Sequence, residues 1–291
     1  MKKSIVFSIS CIFLFLLTAC TKNKIDLTNN IRFNKEQNIH YGDSPDQVLD
    51  LYEPNKKPSE EKEVFIMIHG GGWRGGDKSQ LSLFMFSMME RYPDHIFINM
   101  NYRLASTAQY GIPNQTDDIK KVITFLKKKL NYTPKLILLG NSAGGHLSML
   151  YAYHFDTDKK VKAVINIVGP ADLSDSGFKS YEEYSFIEQH LIDPKTLPTE
   201  VSVINFTSPV HWINNASPPT LSYYGKTDRV VPLSQNKILD SALNKNNVIH
   251  ESYEFNGGHL DWNKPPNAAF LIDKIEIFLK YIDTKQHALN N

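Results

Sequence analysis

Cysteine is almost absent: of 291 residues only Cys11 and Cys20 carry a thiol. Both fall within the first twenty positions, so nothing after Cys20 can form a disulfide, a thiolate nucleophile or a cysteine metal site. Charge of one sign is also missing, with 32 Lys and Arg against 31 Asp and Glu. That balance removes the electrostatic footprint of a nucleic-acid binder, and Lys127-Lys128-Lys129 reads as a solvated helix end. No G-x-G-x-x-G fingerprint and no P-loop occur. The segment Gly75-Gly76-Asp77-Lys78-Ser79 carries Lys-Ser without the preceding glycine spacing. No His, Asp or Glu set falls at zincin or two-metal spacing, so neither metal nor cofactor is expected. Beyond the leader no apolar run is long enough to span a bilayer, and there is no internal repeat or low-complexity tract.

The exception to this evenness is the start of the chain. Lys2 and Lys3 precede an apolar run, Ile5 to Leu17, broken only by two serines, and the segment closes on Leu17-Thr18-Ala19-Cys20. The run is short for a membrane span and suits a secretory leader. Its ending resembles a bacterial lipobox. That resemblance implies cleavage before Cys20, lipidation of Cys20, and a position on the periplasmic or cell-surface face of a bacterial membrane. An ordinary signal peptide with a coincidental cysteine is the alternative. The expected organisation is a leader at 1–19, lipidated Cys20 with a polar tether to 39, a catalytic body at 40–285, and a tail at 286–291.

The body alternates apolar strand-like runs with amphipathic helix-like stretches. Val64 to Ile68 is a continuous apolar run, as in a strand covered on both faces, and His95 to Met100, Leu136 to Leu139, Val161 to Val168 and Thr220 to Tyr224 repeat that character. Gln47 to Tyr52 alternates like an antiparallel strand. Asn114 to Leu130 places Ile119, Val122, Ile123, Phe125 and Leu126 largely on one face, and Ser234 to Leu243 and Ala268 to Ile282 are similar. The pattern predicts an α/β fold with a mostly parallel central sheet and helices on both sides. Residues 172–208 interrupt the rhythm, as a lid over a site or as plain loop and helix packing.

Directly after the run Leu136 to Leu139 comes Gly140-Asn141-Ser142-Ala143-Gly144. Glycines two residues either side of a serine mark a nucleophile elbow, where the chain turns sharply from strand into helix and raises the hydroxyl. An activated serine needs a base, a residue that orients the base, and donors for an oxyanion. His69-Gly70-Gly71-Gly72-Trp73 follows a buried-type strand and matches a donor loop, with the N–H of Ala143 as the second source. The acid and histidine should follow the serine in that order. Asp228 stands just past the strand Thr220 to Tyr224, and Asn256-Gly257-Gly258-His259 follows the strand candidate Ile249 to Phe255. Among ten histidines His259 alone combines this order with a glycine-rich strand-end loop. Asp240 is the rival acid, and Asp261 lies too close in sequence to orient His259 easily.

These motifs, with Asn101-Tyr102-Arg103-Leu104 and Gly144-Gly145, resemble the α/β-hydrolase superfamily, in its acetyl esterase/lipase branch. The resemblance covers residues 40 to about 285. It implies the α/β-hydrolase fold, Gly71 and Gly72 as oxyanion donors, and a structural salt-bridge role for Arg103. Two departures narrow it. There is no helical N-terminal cap, and Asn141 precedes the serine where the branch usually has aspartate. Both look more like the compact feruloyl or acetyl-xylan esterase-like and kynurenine-formamidase-like group. The expectation is a serine ester hydrolase for short acyl esters, such as acetyl or feruloyl esters of carbohydrates. The alternatives are an arylformamidase or peptidase-type hydrolase, and a surface binding protein without catalysis.

Overall fold

The computed structural model describes residues 22–55, 61–197 and 200–290. The expected leader at 1–19 and the lipidation site Cys20 lie outside the described residues. In chain order the elements are β1 (Lys22–Asp26), β2 (Arg32–His40), β3 (Val48–Pro54), β4 (Val64–Ile68), α1 (Ser82–Arg91), β5 (Ile96–Met100), α2 (Asn114–Leu130), β6 (Leu136–Asn141) and α3 (Ala143–Leu150). They continue with β7 (Val161–Ile167), α4 (Ser176–Lys179), α5 (Tyr184–His190), α6 (Val203–Thr207), β8 (Thr220–Gly225), α7 (Ser234–Lys245), β9 (His250–Phe255) and α8 (Asn267–Asn290).

The nine described strands form one sheet in the order β1-β2-β3-β5-β4-β6-β7-β8-β9. From β5 to β9 every pair is parallel, and β1, β2 and β3 add an antiparallel edge. This is the α/β-hydrolase fold. Alternation along each central strand sends neighbours to opposite faces. In β4, Ile66 and Ile68 join α2, α3 and α7 through Ile119, Leu147 and Leu239. Phe65 and Met67 face α1 and α8, among Met85, Met88, Leu271 and Phe278. Both faces of β4 are therefore dry, which explains why that strand is apolar at every position. Parallel pairing also lines up the carboxyl ends of β4, β6 and β8 at one end of the sheet.

The expected tether is not one. Residues 22–26 and 32–40 are strands, paired Lys22 to Glu36 through Asp26 to Arg32, with β2 continuing the ladder onto β3. An edge strand gives most of its side chains to solvent and shows no apolar period, so its polarity resembles that of a linker. Phe33, in β2, is the buried anchor of this edge pair, edge-on to Phe97 at 6.1 Å. Glu36, also buried, takes Lys129 Nζ at 2.9 Å on both oxygens. Replacing Phe33 by alanine should cost about 3–5 kcal/mol in urea unfolding, as for other buried phenylalanines. A residue on a free tether would show no change. The expected tail is likewise corrected, because α8 runs to Asn290 with no glycine or proline from Asn267 onward to stop it.

The interrupted stretch 172–208 divides between its two expected roles. Phe178, Tyr181 and Glu183 line the cavity above Ser142, as a lid would. Its far end instead packs beneath the site, where Thr207 is fully buried and bonded to α3.

Candidate active site

Ser142 sits between the end of β6 and the start of α3 with φ 53° and ψ −124°, a backbone conformation that side chains rarely adopt. Such strain costs on the order of 1–3 kcal/mol and persists only where the surroundings enforce it. The enforcement comes from close packing against β4. A Cβ on Gly144 would lie 2.0 Å from the carbonyl oxygen of Ile68, so no larger residue fits there. The Ser142 N–H donates to Ile167 O at 2.8 Å, and its carbonyl accepts the His146 N–H at 3.0 Å. The hydroxyl is thus lifted to the strand ends on a fixed mount.

Two loops bring the partners. The turn after β8 carries Asp228, whose Oδ1 accepts the N–H groups of Val230 at 2.8 Å and Val231 at 2.9 Å. Its Oδ2 is left for His259 Nδ1 at 2.7 Å. His259 Nε2 then lies 2.9 Å from Ser142 Oγ. Because a carboxylate only accepts, Nδ1 carries the proton and Nε2 presents its lone pair to the hydroxyl. The two loops are tied to each other by Thr227 N–H to Gly257 O at 3.1 Å. Asp261, set aside as the orienting acid, instead accepts the Gly258 N–H at 2.7 Å and shapes the loop that delivers His259. The rival Asp240 is engaged by His250 at 3.0 Å.

The glycine loop stands beside the hydroxyl. Gly71 has φ 116°, and its carbonyl accepts both Arg74 N–H at 3.2 Å and Gly75 N–H at 2.9 Å. Among the described residues, the N–H groups of Gly71, Gly72 and Ala143 have no protein acceptor, as an anion-binding corner requires. Asn141, the departure noted in the sequence, has a local use. Its Oδ1 accepts the Gly70 N–H at 3.0 Å and clips the loop to the elbow.

The neighbouring histidines are structural. His69 Nδ1 donates to Gly70 O at 2.7 Å, its ring stacks on Tyr102 at 4.3 Å, and burial lowers its pKa. His146 accepts Trp73 Nε1–H at 3.1 Å and donates from Nε2 to Thr207 O at 2.7 Å. One neutral imidazole therefore links the glycine loop, the helix behind the nucleophile and the interrupted stretch. Full burial lowers its pKa from 6.5 to about 4. Between those values the unfolded chain binds a proton that the native site refuses, so stability falls as pH drops through the window. The total is about 3 kcal/mol, and below about pH 4 it levels off. Urea unfolding at pH 7 and 4.5 should show a smaller loss for His146→Gln, whose amide can still accept from Trp73 and donate to Thr207. Equal losses would remove His146 from the pH response.

Arg103 is a salt-bridge residue, meeting buried Asp118 at 2.6 Å and binding Asn114 Oδ1 at 2.9 Å. Lys78, in the phosphate-like glycine segment, pairs with Asp50 at 3.1 Å instead. Sequence reasoning did not find Trp262 or the Arg74 and Glu183 pair near the cavity. The hydroxyl and imidazole open into a cavity of about 460 Å³ whose walls include Leu81, Phe178, Tyr181, Val231 and Trp262. A second cavity of about 550 Å³, beside Arg32 and Asp94, lies at the opposite end of the strands and holds none of these groups. No His, Cys, Asp or Glu cluster that could hold a metal is found among the described residues.

Residues 49–243 match the BD-FAE family, more than half of the chain. The chain belongs to the BD-FAE family. The match runs from β3 through most of α7 and takes in the glycine loop, Ser142 and Asp228, while His259 lies beyond it. This BD-FAE chain is 24% identical to Esterase LipC of Mycobacterium tuberculosis over 219 residues, covering 70% of this chain and 54% of that protein. It therefore spans about half of LipC. It is 28% identical over 251 residues to kynurenine formamidase avaC of Aspergillus versicolor, covering 72% of this chain and 87% of that protein. Among solved structures, a truncated carbohydrate esterase from gut microbiota superposes with a TM-score of 0.67 at 20% identity, covering 86% of this chain and 96% of the other. At that identity the likeness establishes the shared fold.

Proposed function

We propose that this BD-FAE chain is a serine carboxylic-ester hydrolase for short acyl esters, including acyl groups carried on carbohydrate. The observation that carries the reading is the unbroken run of hydrogen bonds Asp228–His259–Ser142, ending in a cavity beside unpartnered backbone N–H groups. In the first half-reaction Ser142 Oγ attacks the ester carbonyl while His259 Nε2 takes its proton. The oxyanion forms against the amides of Gly71, Gly72 and Ala143, each such donor being worth about 3 kcal/mol of barrier. His259 returns the proton to the departing alcohol, leaving an acyl-Ser142. Water then enters and gives a proton to His259 as it attacks the acyl carbon, and His259 returns that proton to Ser142 Oγ as the acid leaves. Asp228 keeps the imidazole in the required tautomer and balances its transient charge.

LipC and the carbohydrate esterase support ester chemistry by name, and avaC, matched over most of its own length, keeps an N-formyl amide as the second reading. The test is a substrate panel: p-nitrophenyl esters of rising acyl length, an acetylated xyloside, and N-formylkynurenine. Highest kcat/KM on acetyl esters supports the proposal, and a clear preference for the formamide reverses it.

We further propose that Cys20 carries a lipid anchor on the outer side of a bacterial membrane. The leader and its lipobox-like ending support this. With β1 starting at Lys22, an anchor at Cys20 would hold the body against the bilayer surface rather than on a long tether. Metabolic labelling with an alkyne fatty acid should tag the wild type and not Cys20→Ala.

A further inference from the structure

Among the described residues, Glu183 is the only Asp, Glu, Lys or Arg lining the cavity that holds Ser142 and His259. It precedes α5 in the interrupted stretch, yet both of its oxygens are held. Arg74 Nη2 donates to Oε1, and Tyr181 Oη donates to Oε2 at 3.2 Å. Arg74 is itself braced against the Phe186 ring, with its guanidinium carbon 4.7 Å from the ring centre. A Cβ on Gly72 would lie 3.7 Å from Glu183 Oε2, so the carboxylate stands directly over the glycine loop. It remains 39% exposed, as does Arg74, which leaves acceptor capacity facing the cavity. An exposed pair of this kind adds little to stability.

An anion this close to amides that must stabilise an oxyanion is unfavourable unless neutralised, and Arg74 supplies the neutralising charge. What remains is a positioned acceptor with no hydrogen to give. An ionised carboxylate offers about four acceptor directions, of which Arg74 and Tyr181 use two. Hydroxyl groups on a substrate can fill the others. A substrate carboxylate would be repelled, and a long alkyl chain would have to strip water from the charge without replacing it.

We propose that Glu183 is a specificity-determining residue that accepts hydrogen bonds from hydroxyl groups on the non-reacting part of the ester. Tyr181 positions Glu183, and Arg74 both positions it and offsets its charge. The selected substrates are acylated polyols rather than acyl lipids or esters of acidic alcohols. The inference rests on the serine-esterase reading above.

The test compares wild type, Glu183→Gln and Glu183→Ala in the full chain, with p-nitrophenyl acetate and a mono-acetylated methyl xyloside as substrates. The ratio of kcat/KM for xyloside over nitrophenyl ester should fall about tenfold or more in Glu183→Ala, carried mainly by KM. Glu183→Gln, whose amide oxygen still accepts, should fall between. A ratio within threefold of wild type in Glu183→Ala overturns the proposal, because a merely structural role would slow both substrates alike.

A second readout separates this outcome from failure of the esterase reading. Binding of the acetylated xyloside to Ser142→Ala protein can be followed by fluorescence of Trp73 and Trp262, which both line the cavity. Turnover of the nitrophenyl ester, with xyloside binding unaffected by loss of Glu183, sinks this inference and leaves the esterase standing. Binding that depends on Glu183, in a protein that hydrolyses neither ester, sinks the esterase reading and retains the hydroxyl subsite.

Discussion

Ser142→Ala is expected to lower kcat on p-nitrophenyl acetate by about five to six orders of magnitude, the loss seen when a serine nucleophile is removed from an intact triad. What remains should be a slow water reaction assisted by the amides of Gly71, Gly72 and Ala143, not zero activity. Protein quality is not the explanation for such a loss, because the Ser142 side chain packs no core and its backbone bonds to Ile167 and His146 stay in place. Ser142→Gly provides a sharper control. The position has φ 53°, which glycine adopts without strain, so this variant should be equally inactive yet more stable by about 1 kcal/mol. A nucleophile held in a strained turn predicts this opposition of stability and activity. Turnover within tenfold of wild type in either variant would place the nucleophile elsewhere.

The parts of the site that were legible in the sequence are those with local signatures. The elbow needs glycine within two residues of the serine because Gly144 meets the Ile68 carbonyl at contact range, and that requirement is written beside the serine itself. Asp228 and His259 stand in loops that directly follow strands, so their order and turn chemistry were readable too. Asn141 was visible as a departure, but its bond to Gly70 N–H joins residues 71 apart and has no sequence signal. The Arg74 and Glu183 pair spans 109 positions and was invisible for the same reason. The segment 22–39 reads as a tether for a different reason. Its strands complete the sheet at an edge, where backbone pairing supplies the order and Phe33 is the one fully buried apolar side chain among the described residues of the segment. Polarity alone cannot separate such an edge from a linker.

Asp228→Asn should lower kcat by about four orders of magnitude while leaving the fold intact. The reason lies in the two amides that hold the carboxylate. Val230 and Val231 N–H both point at Oδ1, so an asparagine must turn its carbonyl oxygen toward them. Its NH₂ then faces His259 Nδ1, where it can bond only if that nitrogen has lost its proton. The proton moves to Nε2, which now offers a donor to Ser142 Oγ in place of a base. Asp228→Ala poses a different problem, because it leaves both amides unpaired, and the buried one of Val231 alone costs about 1–3 kcal/mol. Its inactivity would therefore mix instability with lost orientation, whereas Asp228→Asn isolates the tautomer. Differential scanning calorimetry should find Asp228→Asn near wild type and Asp228→Ala clearly lower. Asp240 cannot take over in either variant, since His250 holds it 3.0 Å away in a separate pair, and Asp240→Asn should retain wild-type turnover. Loss of activity in Asp240→Asn matching that of Asp228→Asn would mean that the hydrogen bond from His259 to Asp228 does not set the catalytic tautomer.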